Sequence, residues 1–297
     1  MTPEILGVGE ILWDLFPTGP QLGGAPFNFV CHCHQLGHAA LMVSRVGTDE
    51  RGHAIRAAVR RLGLPDDFIQ GDAAHPTGTV AVAVDERGQP TFTITPEVAY
   101  DYLVWEQRLD ALARHVQALC FGTLIQRHAI ARATVQRLVH AASNALIVCD
   151  VNLRQHFYNR EIIEESLHAC RWVKLNDGEL ATLRDLLGLA GENESALLSD
   201  LRGRYSVELA CLTRGANGCL VQTDDEEIAA PGIPITVVDT VGAGDAFTAG
   251  LLCAVLEGRE LGDATAFANR LAARVAAAAG GTPVLPRDEL ERLRRGC

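Results

Sequence analysis

Residues 234–252 read PITVVDTVGAGDAFTAGLL. The opening β-branched run has the character of a strand, and AFTAGLLCAVLEG, from Ala246 on, has the character of a helix. Gly242, Ala243 and Gly244 therefore fall on a strand-to-helix turn. A helix mouth attracts anions, because its first N–H groups lack intrahelical acceptors and the aligned peptide dipoles leave about half a positive charge there. Glycines let the oxygens of a phosphoryl group come close to that backbone. Asp245, in the same turn, would repel such an anion unless its carboxylate has a task beside it, and taking a proton from an attacking hydroxyl is one. The motif alone also fits a plain helix start whose acid is favoured by the dipole.

Working outward, strand-like runs at 5–8, 41–45, 118–121, 146–150, 172–175, 209–213 and 235–238 alternate with helical patterns such as ERGHAIRAAVRRLG, AIARATVQRLVHAAS, REIIEESLHACR and DGELATLRDLLG. That alternation predicts an α/β fold, a doubly wound, mainly parallel sheet with helices on both faces. Two long helices, from Ala243 and from Leu261, are expected to close the chain. One region breaks the rhythm: TGTVAVAVDERGQPTFTI, from Thr77, alternates apolar and polar residues about a turn at DERGQP. With the strand-like EILWDLF it predicts a small sheet, formed by about 10–22 and 77–96 and standing as a lid over a single domain that spans 1–297.

The chain has 297 residues, 48% of them hydrophobic, with a net charge of -11. Such a balance provides a large core and no basic patch for nucleic acid or an anionic membrane. No apolar run approaches a membrane span, and two acids without a base ahead of the first apolar stretch argue against a signal peptide. Nine cysteines without framework spacing fit free thiols in a reducing, cytoplasmic setting. Cys31-His32-Cys33-His34 offers four metal-ligand types in a row, but neighbours two apart on the expected helix point to nearly opposite sides. GVGEIL lacks the third glycine of a dinucleotide fingerprint, since Leu12 stands there, and GTDERGH has His53 where a P-loop has lysine.

Asp239 to Leu252, DTVGAGDAFTAGLL, resembles at every position the C-terminal signature of the ribokinase or PfkB-type carbohydrate kinases. GGAPFN, Gly23 to Asn28, followed by Gly37 and Gly47, resembles the N-terminal one, with Val30 departing from the small or hydroxylated residue usual there. The resemblance covers the whole chain. It implies a ribokinase-like three-layer fold and an ATP-dependent sugar kinase, with Asp245 as base and the N–H groups of Gly242, Ala243 and Gly244 as anion hole. It also implies sugar contacts at Asp14, Gly23, Gly24 and Asn28, and nucleotide contacts at Asn176, Thr213, Gly215, Gly218, Gly244 and Asn269. Mg2+ is implied near Glu179 through water, although Asn176 and Glu179 also fit a helix capping box. Asp239 and the backbone at Val241, with residues near Gly280, match loops that hold a monovalent cation such as K+.

CDVNLRQHFY, residues 149–158, resembles the D-x-N-x-R segment of fructokinase-like members. Asp150 and Asn152 would orient the site, and Arg154 would reach a hydroxyl or carboxylate of the acceptor. The readings left open are fructose, favoured by GEILWDLFP and the lid segment, 2-keto-3-deoxygluconate or another sugar of the family, and a sugar-binding regulator on a kinase fold. A homodimer through the lid is a further expectation.

Overall fold

The structure is a computed structural model that describes residues 4–84 and 90–296. A nine-stranded sheet runs through it in the order β13-β12-β11-β10-β9-β8-β1-β4-β5. Its strands are β1 (Ile5–Val8), β4 (Ala40–Gly47), β5 (Ile69–Asp72), β8 (Ala118–Gly122), β9 (Leu146–Asp150), β10 (Trp172–Asn176), β11 (Leu209–Thr213), β12 (Cys219–Gln222) and β13 (Glu227–Ala230). Only the pairings at the β11-β12-β13 edge are antiparallel. A second sheet, in the order β3-β2-β6-β7, is built from β2 (Leu12–Phe16), β3 (Gly19–Gly23), β6 (Thr79–Val84) and β7 (Pro90–Ile94). The expected turn at DERGQP lies, from Asp85 to Gln89, outside the described residues.

Each central strand is apolar on both sides, as a sheet covered on both faces requires. Along β8, Leu119 and Phe121 join one core while Ala118 and Cys120 join the other; along β11, Ala210 and Leu212 part from Leu209 and Cys211 in the same way. The first core packs under α3 (Gln107–Ala113), α4 (Ala129–Ala141), α5 (Arg160–Ala169), α6 (Asp177–Leu187) and α7 (Glu194–Tyr205). The second packs under α1 (Ala25–Gln35), α2 (Glu50–Arg61), α8 (Ala243–Leu256), α9 (Leu261–Ala276) and α10 (Arg287–Arg295). The three layers of the expected fold are thus present. In β6, Val80 and Val82 are buried while Ala81 is exposed, which is the one-sided alternation read from the sequence.

Two expectations are corrected. Residues 235–238 are not a strand: Val237 and Val238 are 57% and 61% exposed, and Val238 N donates to Ala276 O at the end of α9 instead of to a sheet partner. β13 already forms that edge, and Pro231 and Pro234 remove donors that a ladder would need. Nor do two helices close the chain, since α10 follows them. Its sequence RDELERLRR buries only Leu290, so it lacks the apolar stripe by which a helix is read.

Strand order reverses between β1 and β8: later strands are added outward from β8 on one side, while β4 and β5 lie on the other. In open α/β sheets the crevice beyond the carboxyl ends of strands at such a point is where ligands bind. Gly9 and Glu10 leave β1 there and lead directly into the small sheet.

Candidate active site

α8 begins at this crevice. Its N-cap, Gly242, has φ 77°, a left-handed conformation, and a Cβ there would lie 2.2 Å from Gly281 O. Only glycine permits both the turn and the approach. A Cβ on Gly281 would in turn lie 2.9 Å from the Asn28 amide, and one on Gly244 would lie 2.8 Å from Lys174 Nζ. Four distant pieces of chain, the α8 mouth, the 280–281 loop, α1 and β10, therefore meet where glycines at 242, 244 and 281 leave room for the backbone of Gly281 and the side chains of Lys174 and Asn28. The Ala243 N–H turns back to Thr240 O at 3.3 Å, while the next N–H groups, of Gly244 and Asp245, have no intrahelical acceptors by position.

Asp245 is buried in the first turn of α8 and accepts a hydrogen bond from Asn28 Nδ2 at 2.8 Å. Burial pushes its acid up to about 6, helped by the Asp150 carboxylate and opposed by Lys174, the Asn28 bond and Arg154. A carboxylate held in one orientation, with its proton affinity moved toward neutrality, has the properties of a general base.

Lys174, which the sequence reading passed over, is the counter-charge of this centre. It is 8% exposed and its Nζ lies 3.1 and 3.2 Å from the two Asp150 oxygens. Burial alone would lower its pKa, but Asp150, Glu179 and Asp245 together outweigh that and raise it. A lone lysine inside the apolar strand WVKLN was the available signal, since a buried ammonium needs a partner. Asn176 and Glu179 form the full capping box at the start of α6: Asn176 Oδ1 accepts from Glu179 N at 2.8 Å and Glu179 Oε2 from Asn176 N at 2.8 Å. Glu179 Oε1 also accepts from Leu153 N at 3.0 Å, which ties α6 to the segment carrying Arg154.

On the small-sheet side, Asp14 stands on β2 and faces the turn at Gly23, where a Cβ would come within 2.4 Å of Asp14 Oδ2. Burial raises the Asp14 acid to about 6, with Arg154 opposing and Asp239 adding. Gly24, at φ 112°, leaves room for Glu10 O, 2.4 Å from where its Cβ would be. Arg154 is exposed, donates to Leu153 O at 3.1 Å, and lies in a segment with positive φ at Asn152 (42°) and Gln155 (49°). Its charge acts on Glu10, Asp14, Glu179 and Asp245 alike.

At the other end of the site, Thr213 closes β11, and Gly215 and Gly218 take left-handed φ of 53° and 84° in the turn that follows. Gly218 abuts Ala230 O and Pro231, and Asn269 Nδ2 on α9 donates to Pro231 O at 2.8 Å, so these residues line one neighbourhood. Asp239 accepts from Val241 N at 3.0 Å and Gly280 N at 3.1 Å, joining the two loops singled out for a monovalent cation. Asp245, Asn28, Gly242 and Gly244 are brought together directly, with Asp14, Gly23, Gly24 and Arg154 on the small-sheet side.

A family model described as pfkB family carbohydrate kinase matches residues 18–288. The chain belongs to this family. It is a carbohydrate kinase with the ribokinase-like fold. As a family member it is 27% identical to a fructokinase of Klebsiella pneumoniae over 98% of this chain and 99% of that protein. Its fold superposes on a fructokinase of Xylella fastidiosa solved with bound ATP, with TM-score 0.86 and 22% identity, covering 100% of this chain and 99% of the other. A candidate ribokinase II of E. coli, solved with ATP and Mg2+, gives TM-score 0.84 at 18% identity, covering 99% and 100%.

Proposed function

We propose that this carbohydrate kinase transfers the γ-phosphoryl group of ATP to a primary hydroxyl of a neutral sugar, fructose before others. The observation that carries the reading is Asp245, oriented by Asn28 at the mouth of α8 with its acid raised to about 6. The sugar lies between Asp14, the Gly23–Gly24 turn and Arg154, and its hydroxyl gives its proton to Asp245 as it attacks. The N–H groups at Gly242 to Asp245 face the charge that develops on the transferring group, with Lys174 behind Gly244. ATP extends from there toward Thr213, Gly215, Gly218 and Asn269, with Asn176 near its phosphates.

Among the described residues no three His, Cys, Asp or Glu side chains are grouped to hold a metal ion. Glu179, whose two carboxylate oxygens are already engaged by backbone N–H groups, would reach Mg2+ only through water, which fits an ion that keeps its waters and is held by nucleotide phosphates. When bound, that ion neutralises phosphate charge during transfer. Asp239 and Val241 are the residues that would hold K+.

Fructose is favoured over 2-keto-3-deoxygluconate by charge. Glu10, Asp14 and Asp245 all have acids raised by burial, and one exposed guanidinium, Arg154, acts on all three. A surround in which carboxylates already resist ionisation resists a ligand carboxylate as well. The resemblance to fructokinases, including the bacterial relative, supports the same choice. The second sheet serves as the lid, tied to the Arg154 segment where Gln155 Nε2 donates to Phe92 O at 2.6 Å. A homodimer would form through this sheet, and free, buried thiols suit the cytoplasm. An assay coupled to ADP release, run with fructose, 2-keto-3-deoxygluconate and ribose, tests the proposal. Fructose as the best acceptor supports it, the keto acid as the best acceptor refutes the charge argument, and sugar binding without ADP release would make the protein a regulator.

A further inference from the structure

Glu10 adds to the acidity of the site but touches neither ligand in the proposed reaction, although it leaves β1 at the switch point and is only 3% exposed. Its own backbone N–H, and to a lesser degree that of Ala25 at the start of α1, favour the charged form of its carboxylate, but Oε2 is buried without a hydrogen-bond partner. An unpartnered buried oxygen of this kind is costly and calls for an occupant that arrives later. Of the four carboxylates on which Arg154 acts, Glu179 has both oxygens engaged and Asp245 is held by Asn28. Asp14 lies half-buried on the small sheet, open to ligand hydroxyls. Glu10 alone among the four holds a buried, idle oxygen.

Arg154 presents the complementary surplus. Its guanidinium is exposed and engages its neighbour's carbonyl, in a segment where Asn152 and Gln155 both take left-handed backbone. Resting on the kinase reading, we infer that Glu10 is a positioning residue: when sugar enters, Arg154 turns inward onto Glu10 Oε2 and is fixed there against the acceptor. Exclusion of water by sugar and lid strengthens that pair. The other groups facing Glu10 do not supply the partner. Asp245 repels it; Arg127 is bonded through Nε and Nη2 to the two Asp101 oxygens at 2.7 and 2.8 Å, and its buried Nη1 and the buried Tyr100 hydroxyl, though without partners of their own, make no hydrogen bond to Glu10.

The test is the pH dependence of KM and kcat in wild type, Glu10→Gln and Glu10→Asp, with whichever sugar of the panel is phosphorylated. Burial raises the Glu10 acid to about 7, so the inward pair forms above that pH and is lost below it. The wild-type KM for sugar should rise as pH falls through 7. In Glu10→Gln the KM should be about tenfold higher at pH 8 and lose that inflection, as expected for one missing charge-assisted bond. The kcat inflection near 6 from Asp245 should survive in the variant, and Glu10→Asp should restore part of the KM effect. In an Arg154→Ala background, Glu10→Gln should change KM no further.

Thermal unfolding of the free protein separates a merely structural role. An acid raised in the fold is a penalty present above its folded pKa and relieved as pH falls toward its unfolded value, so Glu10→Gln should unfold no earlier than wild type at pH 8. A variant that loses stability while keeping the wild-type KM profile would assign Glu10 to Arg127 or to the α1 terminus and overturn the inference. No sugar phosphorylated by the wild type would overturn the kinase reading, and this inference with it.

Discussion

Asn28 decides where Asp245 points. Its Nδ2 holds the carboxylate at 2.8 Å, and its own position is confined by Gly281, where no Cβ would fit. With the carboxylate as base, Asp245→Asn should lower kcat by about two to four orders of magnitude and leave sugar binding, followed by calorimetry, nearly unchanged. The same residue gives the pH dependence of kcat. The base works ionised, so kcat should fall as pH drops through about 6, the value to which burial raises it, and a profile flat down to pH 5 would count against the assignment. Lys174 and Asp150 form a buried pair whose members depend on each other. Lys174→Met should destabilise the fold by about 3–5 kcal/mol in denaturant unfolding, because a buried carboxylate is left without its cation, and adding Asp150→Asn should recover much of that loss.

Among elements, the proposal rests the chemistry on the mouth of α8, with α6 in support. Gly242→Ala would drive a Cβ into Gly281 O at a left-handed position, so turnover should fall at least about a hundredfold as the amides lose their aim, with the overall circular dichroism kept. Asn176→Ala removes the α6 N-cap and should cost about 1 kcal/mol of stability, read from chemical unfolding. Elements were legible in the sequence where one physical signal dominated. The α8 turn declared itself through GAGD, and the central strands through apolar runs bounded by turns. Residues 235–238 misled because an apolar run reports affinity for an apolar surface but not whether a sheet edge is free to receive it. α10 went unread because a helix that rests one leucine on the body leaves no periodic stripe. Lys174 and Glu10 were hidden for a related reason: a single charged letter inside a strand or just beyond its end does not show which carboxylate or guanidinium the fold sets opposite it.

At the scale of the whole molecule, the reversal of strand order between β1 and β8 puts three things in one crevice: the exit of β1 with Glu10, the small sheet with Asp14, and the α8 mouth with Asp245. Asp245 is more than two hundred positions from Glu10 and Asp14 in the chain, and only the two signatures read together indicated that the α8 mouth would meet the N-terminal sugar turn. The resulting centre is rich in carboxylates, which is the ground on which we propose a neutral acceptor and a cation-borne nucleotide as its ligands. The central claim is that the acceptor hydroxyl and the terminal phosphate meet at Asp245. A crystal structure with fructose and a non-hydrolysable ATP analogue tests it most directly. The terminal phosphate should lie within about 3 Å of the Gly244 and Asp245 amides, and a primary hydroxyl of the sugar within about 3 Å of the Asp245 carboxylate. A terminal phosphate bound away from residues 242–245, or a sugar with no hydroxyl in reach of Asp245, would contradict it.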